Sequence, residues 1–152
     1  MISINIVCVG NLKEKFSKEE QAEYLKRLSA FCKLSILEVK EQNQLENVDT
    51  ILEKEGEEIL KKLKGHCILC EINSKEMSSV EFAENLNKIM QKNSTVTFVV
   101  GGSYGVSQKV KDFCQQKISF SPMTFPHNLF RIMLLEQIYR SFTILNGKSY
   151  HK

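Results

Sequence analysis

Between Thr95 and Arg140 the chain twice stops a short apolar strand on a turn rich in glycine or proline. The run Val96–Val100 is β-branched and aromatic, as strands prefer, and it ends in Gly101-Gly102-Ser103-Tyr104-Gly105. A shorter strand, Ile118–Phe120, ends in Ser121-Pro122-Met123-Thr124-Phe125-Pro126-His127. Each turn leads into a helical pattern. Strand, turn and helix in that order build an open α/β sheet, and such sheets bind ligands just beyond the carboxyl ends of their strands. The ligand site is therefore expected in the last third of the chain.

The rest of the sequence repeats the alternation. Ile2–Val9 reads as a first strand, with Ile2, Ile4 and Ile6 on one face. The N-terminal run lacks the basic region and cleavage site of a signal peptide. Ser17-x-x-Glu20 is a capping-box pattern expected to open a helix to about Phe31, with Ala22, Leu25 and Leu28 inward. Leu34–Val39 is a second strand and 40–48 a polar loop. Val48–Lys64 is a helix with Ile51, Leu52, Ile59, Leu60 and Leu63 inward and an acidic outer face; Gly65 stops it. Cys67–Ile72 is a third strand. Ser78-x-x-Glu81 is a second capping box, opening a helix to about Gln91. A short helix spans Val106–Phe113, and a long one runs from Pro126 to about Asn146. The pattern predicts a single α/β domain over 1–152, with a mostly parallel sheet and helices on both faces.

No apolar run approaches the ~20 residues of a membrane span. The five cysteines suit a reducing, cytoplasmic setting. Charge is unevenly spread: residues 41–92 carry a net −4, residues 93–152 a net +5. The presumed site segment is the basic one, as contact with phosphates requires.

Three motifs need weighing. Gly101-Gly102-Ser103-Tyr104-Gly105 matches G-x-S-x-G, the serine-hydrolase elbow, in the right strand-to-helix context. Yet only His151, the penultimate residue, follows a suitable acid, and no HGGG-type loop is present. The glycines otherwise form a turn, or let backbone approach a ligand closely. No G-K-[ST] follows, so the loop is not a triphosphate cradle. Cys67-x-x-Cys70 has no second ligand pair, and residues three apart on a strand face opposite ways, so no metal is expected. His127 and Arg131 are four apart and share a helix face. Ile132, Met133, Leu134, Leu135 and Ile138 make that helix apolar nearly all round, so it is buried or covered by a partner.

FVVGGSYGV paired with SFSPMTFPHNLFRIMLLEQIYR and a terminal Tyr150-His151-Lys152 resembles the SPOUT-class methyltransferases that act on pseudouridine in large-subunit ribosomal RNA. VCVGNLKEKF, EYLKRL and EKEGEEIL extend the resemblance over the full length. It implies a C-terminal trefoil knot, S-adenosyl-L-methionine as cofactor, and a homodimer packed through the last helix. It implies a cofactor site from Cys70, Gly101, Gly102, Gly105, Phe120, Ser121, Pro122, Met123, Thr124, Phe125 and His127. It implies catalytic roles for Tyr150, His151 and Lys152, reaching across the dimer, and for Arg131 on a phosphate or cofactor carboxylate. The implied substrate is N3 of pseudouridine 1915 in the helix 69 hairpin of 23S rRNA, in the assembled ribosome. The alternatives are a non-catalytic RNA- or ribosome-binding protein of the same fold, and a serine hydrolase using Ser103.

Overall fold

A computed structural model describes residues 1–43 and 47–152; the middle of the expected 40–48 loop lies outside the described residues. Five strands, β1 (Ser3–Val9), β2 (Lys33–Val39), β3 (His66–Glu76), β4 (Thr95–Val100) and β5 (Gln116–Ser119), alternate with five helices. These are α1 (Lys15–Leu28), α2 (Val48–Lys62), α3 (Ser79–Lys92), α4 (Gln108–Phe113) and α5 (His127–Leu145). The strands form one sheet in the order β2-β1-β4-β3-β5, and every pairing is parallel. The α/β class and the helices on both faces are as the alternation predicts.

Alternate residues of the central strands feed two cores. Ile4, Ile6, Phe98, Val100 and Ile68 pack under α1, α3 and α5. Val7, Val9, Val99, Cys67 and Leu69 pack under α2 and α4. Strands buried on both faces must be apolar throughout, which is why the period-2 signal is weak in VTFVV. Cys67 and Cys70 fall on opposite faces of β3, one in each core.

Three expectations about α1 fail. The helix starts at Lys15, with Glu14 as its N-cap and no side-chain cap bond. Ser17 is thus inside the helix, where its backbone is already helical and cannot take the extended cap conformation. The helix also ends at Leu28, and Ala22 is exposed. The stripe facing the core runs through Tyr24, Leu25 and Leu28, and Phe31 reaches back from the following turn to stack on Phe142, with ring centroids 5.3 Å apart. The Ser78 capping box of α3 forms in full: Ser78 Oγ accepts from the Glu81 amide and Glu81 Oε1 accepts from the Ser78 amide.

α5 lies between α1 and α3 on the sheet. Its low amphipathicity is met largely within the chain, since Arg131, Ile132, Leu134, Leu135, Ile138 and Phe142 are all buried. A partner subunit is not needed to explain most of its apolar surface. Met133, Tyr139, Ile144 and Leu145 remain partly exposed, spread round the helix and not on one face.

Candidate functional site

The carboxyl ends of β3, β4 and β5 open on one side of the sheet into a cleft of about 770 Å³. That is the size range of small-molecule and cofactor sites. Three loops wall it. The first was not legible in the sequence. β3 runs past the expected Ile72 to Glu76, and Ile118 of β5 pairs with both Cys70 and Lys75. The four residues between, Glu71 to Ser74, therefore leave the ladder, and Glu71, Ile72 and Asn73 line the cleft. Ser119 pins this bulge to the next loop: its buried hydroxyl lies 3.0 Å from both the Ile72 and Ser121 carbonyl oxygens. The polar run NSKE after an apolar strand was the only available signal.

The second wall is the turn after β4. Gly102 and Gly105 pair as an antiparallel bridge, with the Gly105 amide donating to the Gly102 carbonyl at 3.1 Å. Gly105 has φ +82°, a conformation that favours glycine. A Cβ on Gly101 would lie 2.7 Å from the Gly105 oxygen and 2.9 Å from Val106 Cγ1. The glycine at 101 is thus required by the loop's own closure, not by bulk that would meet a ligand. Gly101→Ala is therefore expected to open the turn, lower stability by about 1–3 kcal/mol through overpacking and weaken ligand binding at least tenfold. Thermal melts and calorimetry check both effects, and unchanged values would remove Gly101 from this role.

The third wall is the loop after β5 with the start of α5. Phe120, Ser121, Met123, Thr124, Phe125 and His127 line the cleft, as do Cys70, Gly101, Gly102 and Gly105; Pro122 does not. Phe130, one turn into α5, adds an apolar face beside Phe120, with ring centroids 4.8 Å apart. At the rim, Tyr104 is 60% and Met123 71% exposed. Burial holds the Cys70 thiol well above its usual range, so it serves as packing and not as a nucleophile. The His127 ring lies on Gly10 at the end of β1, where a Cβ would approach its Cε1 to 2.8 Å. With φ +94°, Gly10 is needed there twice over.

Arg131 shares the His127 face, as the spacing predicts, but it meets no open space. It is 1% exposed. Its Nη1 donates to Glu38 Oε2 at 2.6 Å and to Gln21 Oε1 at 3.3 Å, and its Nη2 to the Gly10 carbonyl at 3.1 Å. Both Nη atoms are thus engaged while Nε is buried without a partner among the described residues, and the side chain ties α5 to β1, β2 and α1.

The tail is likewise not in this cleft within its own chain. Tyr150 donates to Glu136 Oε2 at 2.5 Å and packs edge-on against Tyr139. Nδ1 of His151 lies 3.0 Å from Arg140 Nη1. Glu136 is nine residues beyond His127, roughly 14 Å along the helix axis. The hydrogen bond to Glu136 pushes the Tyr150 hydroxyl up to about 12. Both side chains are thus held on α5, outside the cleft of their own chain. Lys152 is exposed.

The hydrolase alternative does not survive the geometry. Ser103 is exposed and bonds Glu41 at 3.3 Å, with no histidine partner among the described residues. No non-glycine residue described has positive φ, so the strained serine of an elbow is absent. Among the described residues no group of three or more metal-ligating side chains converges, and no helix is long and apolar enough to cross a membrane.

A family model described as "Predicted SPOUT methyltransferase" matches residues 2–151. A protein named ribosomal RNA large subunit methyltransferase H from Caldicellulosiruptor saccharolyticus is 46% identical over 153 residues, covering 98% of this chain and 99% of that one. The protein of the same name from Clostridium tetani is 46% identical over 159 residues, covering 99% and 100%. A solved structure titled as a probable methylase family protein from Haemophilus influenzae superposes with TM-score 0.55 at 14% identity, over 98% of this chain and 70% of that one, a likeness of fold.

Proposed function

The chain belongs to the SPOUT methyltransferase family, and from that premise we propose that it methylates large-subunit ribosomal RNA with S-adenosyl-L-methionine as donor. The target we propose is N3 of pseudouridine 1915 in the 23S chain, presented by the assembled ribosome. The observation that carries this reading is the cleft itself, where three strand-end loops converge on a space of cofactor size.

The residues fit an adenosine-bearing ligand. Leu69, Ile72, Val106 and Phe130 supply apolar walls, and the 101–105 and 120–126 turns supply backbone N–H and C=O groups. Apolar walls with a few placed polar groups are what such a ligand needs. When bound, the cofactor supplies an activated methyl on a sulfonium. The protein's part is to hold the reacting groups in line and exclude water, which contributes up to about 7–11 kcal/mol. Gly101, Gly102 and Gly105 keep one wall thin, and Phe120, Ser121, Met123, Thr124 and Phe125 form another. The proton on the acceptor nitrogen must also leave. His151 is the proposed base and Lys152 a proposed phosphate contact, both delivered from the partner of a homodimer. This requires the tail to leave Glu136 and Arg140 of its own chain.

Calorimetric titration with S-adenosylmethionine tests the cofactor half of the reading. Saturable binding at one site per chain is expected, weakened at least tenfold in Gly101→Ala. A silent titration would favour a non-catalytic ribosome-binding protein of the same fold.

A further inference from the structure

A buried acid stands behind the cleft, outside its lining. Glu55 lies on α2, on what the sequence pattern presents as a solvent face, yet it is 4% exposed. Its Oε2 accepts from the Gln42 amide at 2.9 Å. Its Oε1 lies 3.5 Å from where a Cβ on Gly102 would stand, directly behind the cleft wall. The next residue, Gly56, has no side chain because Ser107 Oγ, the N-cap of α4, would be 2.5 Å from its Cβ. α2 thus meets both ends of the 102–107 segment, with Glu55 behind Gly102 and Gly56 against Ser107. No cation pairs with Glu55 among the described residues. Among the described residues two titratable groups face it: Glu41 from the loop after β2 and His127 from α5. Arg131, a turn beyond His127, pairs with Glu38 instead.

Resting on the methyltransferase reading above, we infer that Glu55 is a positioning residue for charge: its carboxylate, set behind Gly102, favours a cationic sulfonium in the cleft over the neutral thioether left after methyl transfer. A glycine wall lets the charge act through one layer of backbone. Little water intervenes to screen it, and a buried unpaired carboxylate gains from any cation brought near. Burial raises the Glu55 carboxyl above its ordinary range, against the opposing pull of the Gln42 amide. Ionisation is then incomplete at low pH and becomes complete as pH rises, so the preference for the cation must grow with pH.

S-adenosylmethionine and S-adenosylhomocysteine differ only in the methyl and its positive charge. The ratio of their dissociation constants, measured by calorimetry across pH, cancels every shared group. In wild type this ratio is expected to shift towards S-adenosylmethionine as pH rises. His127 faces the same space, so the series is repeated in His127→Gln, where the shift must persist. Glu55→Gln keeps the shape and the acceptor for Gln42 but removes the charge. It is expected to bind S-adenosylhomocysteine within about threefold of wild type, and to lose roughly tenfold of its preference for S-adenosylmethionine, the effect of one charge out to about 12 Å in a medium of dielectric about 20. A flat wild-type ratio overturns the inference even if the variant fails to fold. So does an equal loss of both ligands in Glu55→Gln, which marks a purely structural role. If wild type binds neither ligand, the methyltransferase reading fails first and takes this inference with it.

Discussion

Removal of Tyr150, His151 and Lys152 will reduce methyl transfer to ribosomal RNA by about 100-fold or more while leaving the affinity for S-adenosylmethionine within about threefold. The rate effect follows from the worth of a general base, about 10²–10⁴, with loss of the Lys152 cation added to it. Cofactor affinity should hold because no tail residue lines the cleft of its own chain. The tail is docked, however, through the Tyr150–Glu136 hydrogen bond and the Tyr139 contact. Its loss should therefore cost about 1 kcal/mol of stability, the worth of one such bond. Single changes separate the roles: His151→Ala should lower turnover, and Lys152→Ala should weaken binding to ribosomes with a shallower salt dependence. Single-turnover transfer of labelled methyl groups to ribosomes provides the measurement. A truncated protein acting at the wild-type rate would make the tail a bystander.

Arg131→Met will have the largest effect on folding. The change empties a buried site, strips the Gly10 carbonyl of its donor and leaves Glu38 without its cation. Hydrogen bonds to charged groups contribute about 1.5–3 kcal/mol. Glu38 is 43% exposed, so water takes up part of its lost partner. The net cost should be about 3 kcal/mol, or roughly 10 °C in the melting temperature of a chain this size. Glu38→Leu should cost a similar amount, since it leaves the guanidinium buried without its carboxylate. A double variant less damaged than the sum of the singles would confirm the pair. If Arg131→Met melts as wild type does but loses RNA affinity with a lowered salt slope, the phosphate contact drawn from the resemblance was right after all.

The contrast between these two residues shows what could be read from the sequence. The turns at 101–105 and 121–127 were legible because glycine and proline punctuate the chain where strands must end. Most of the cleft's lining follows from them. The face shared by His127 and Arg131 was legible too, since spacing fixes it. What that face touches was not, because the partners Glu38 and Gly10 lie 93 and 121 residues away in sequence. Glu55 was hidden by its own type: an acid among acids on a helix reads as solvent-facing until the helix is docked. The need for glycine at 101 was not legible, since the clash a side chain would make is with Gly105 and Val106 across the turn. The bulge from Glu71 to Ser74 arises from pairing with β5, a register that no local pattern encodes. The knot implied by the family resemblance leaves no trace in periodicity at all.

The central claim is methyl transfer to one pseudouridine of 23S rRNA. Ribosomes from cells lacking that methyl group, incubated with the purified protein and labelled S-adenosylmethionine, test it most directly. After nuclease digestion the label should reside in a single methylated pseudouridine nucleoside from the helix 69 hairpin, with none in 16S rRNA. Label at another nucleotide, or none on ribosomes under conditions where the cofactor binds, would contradict it.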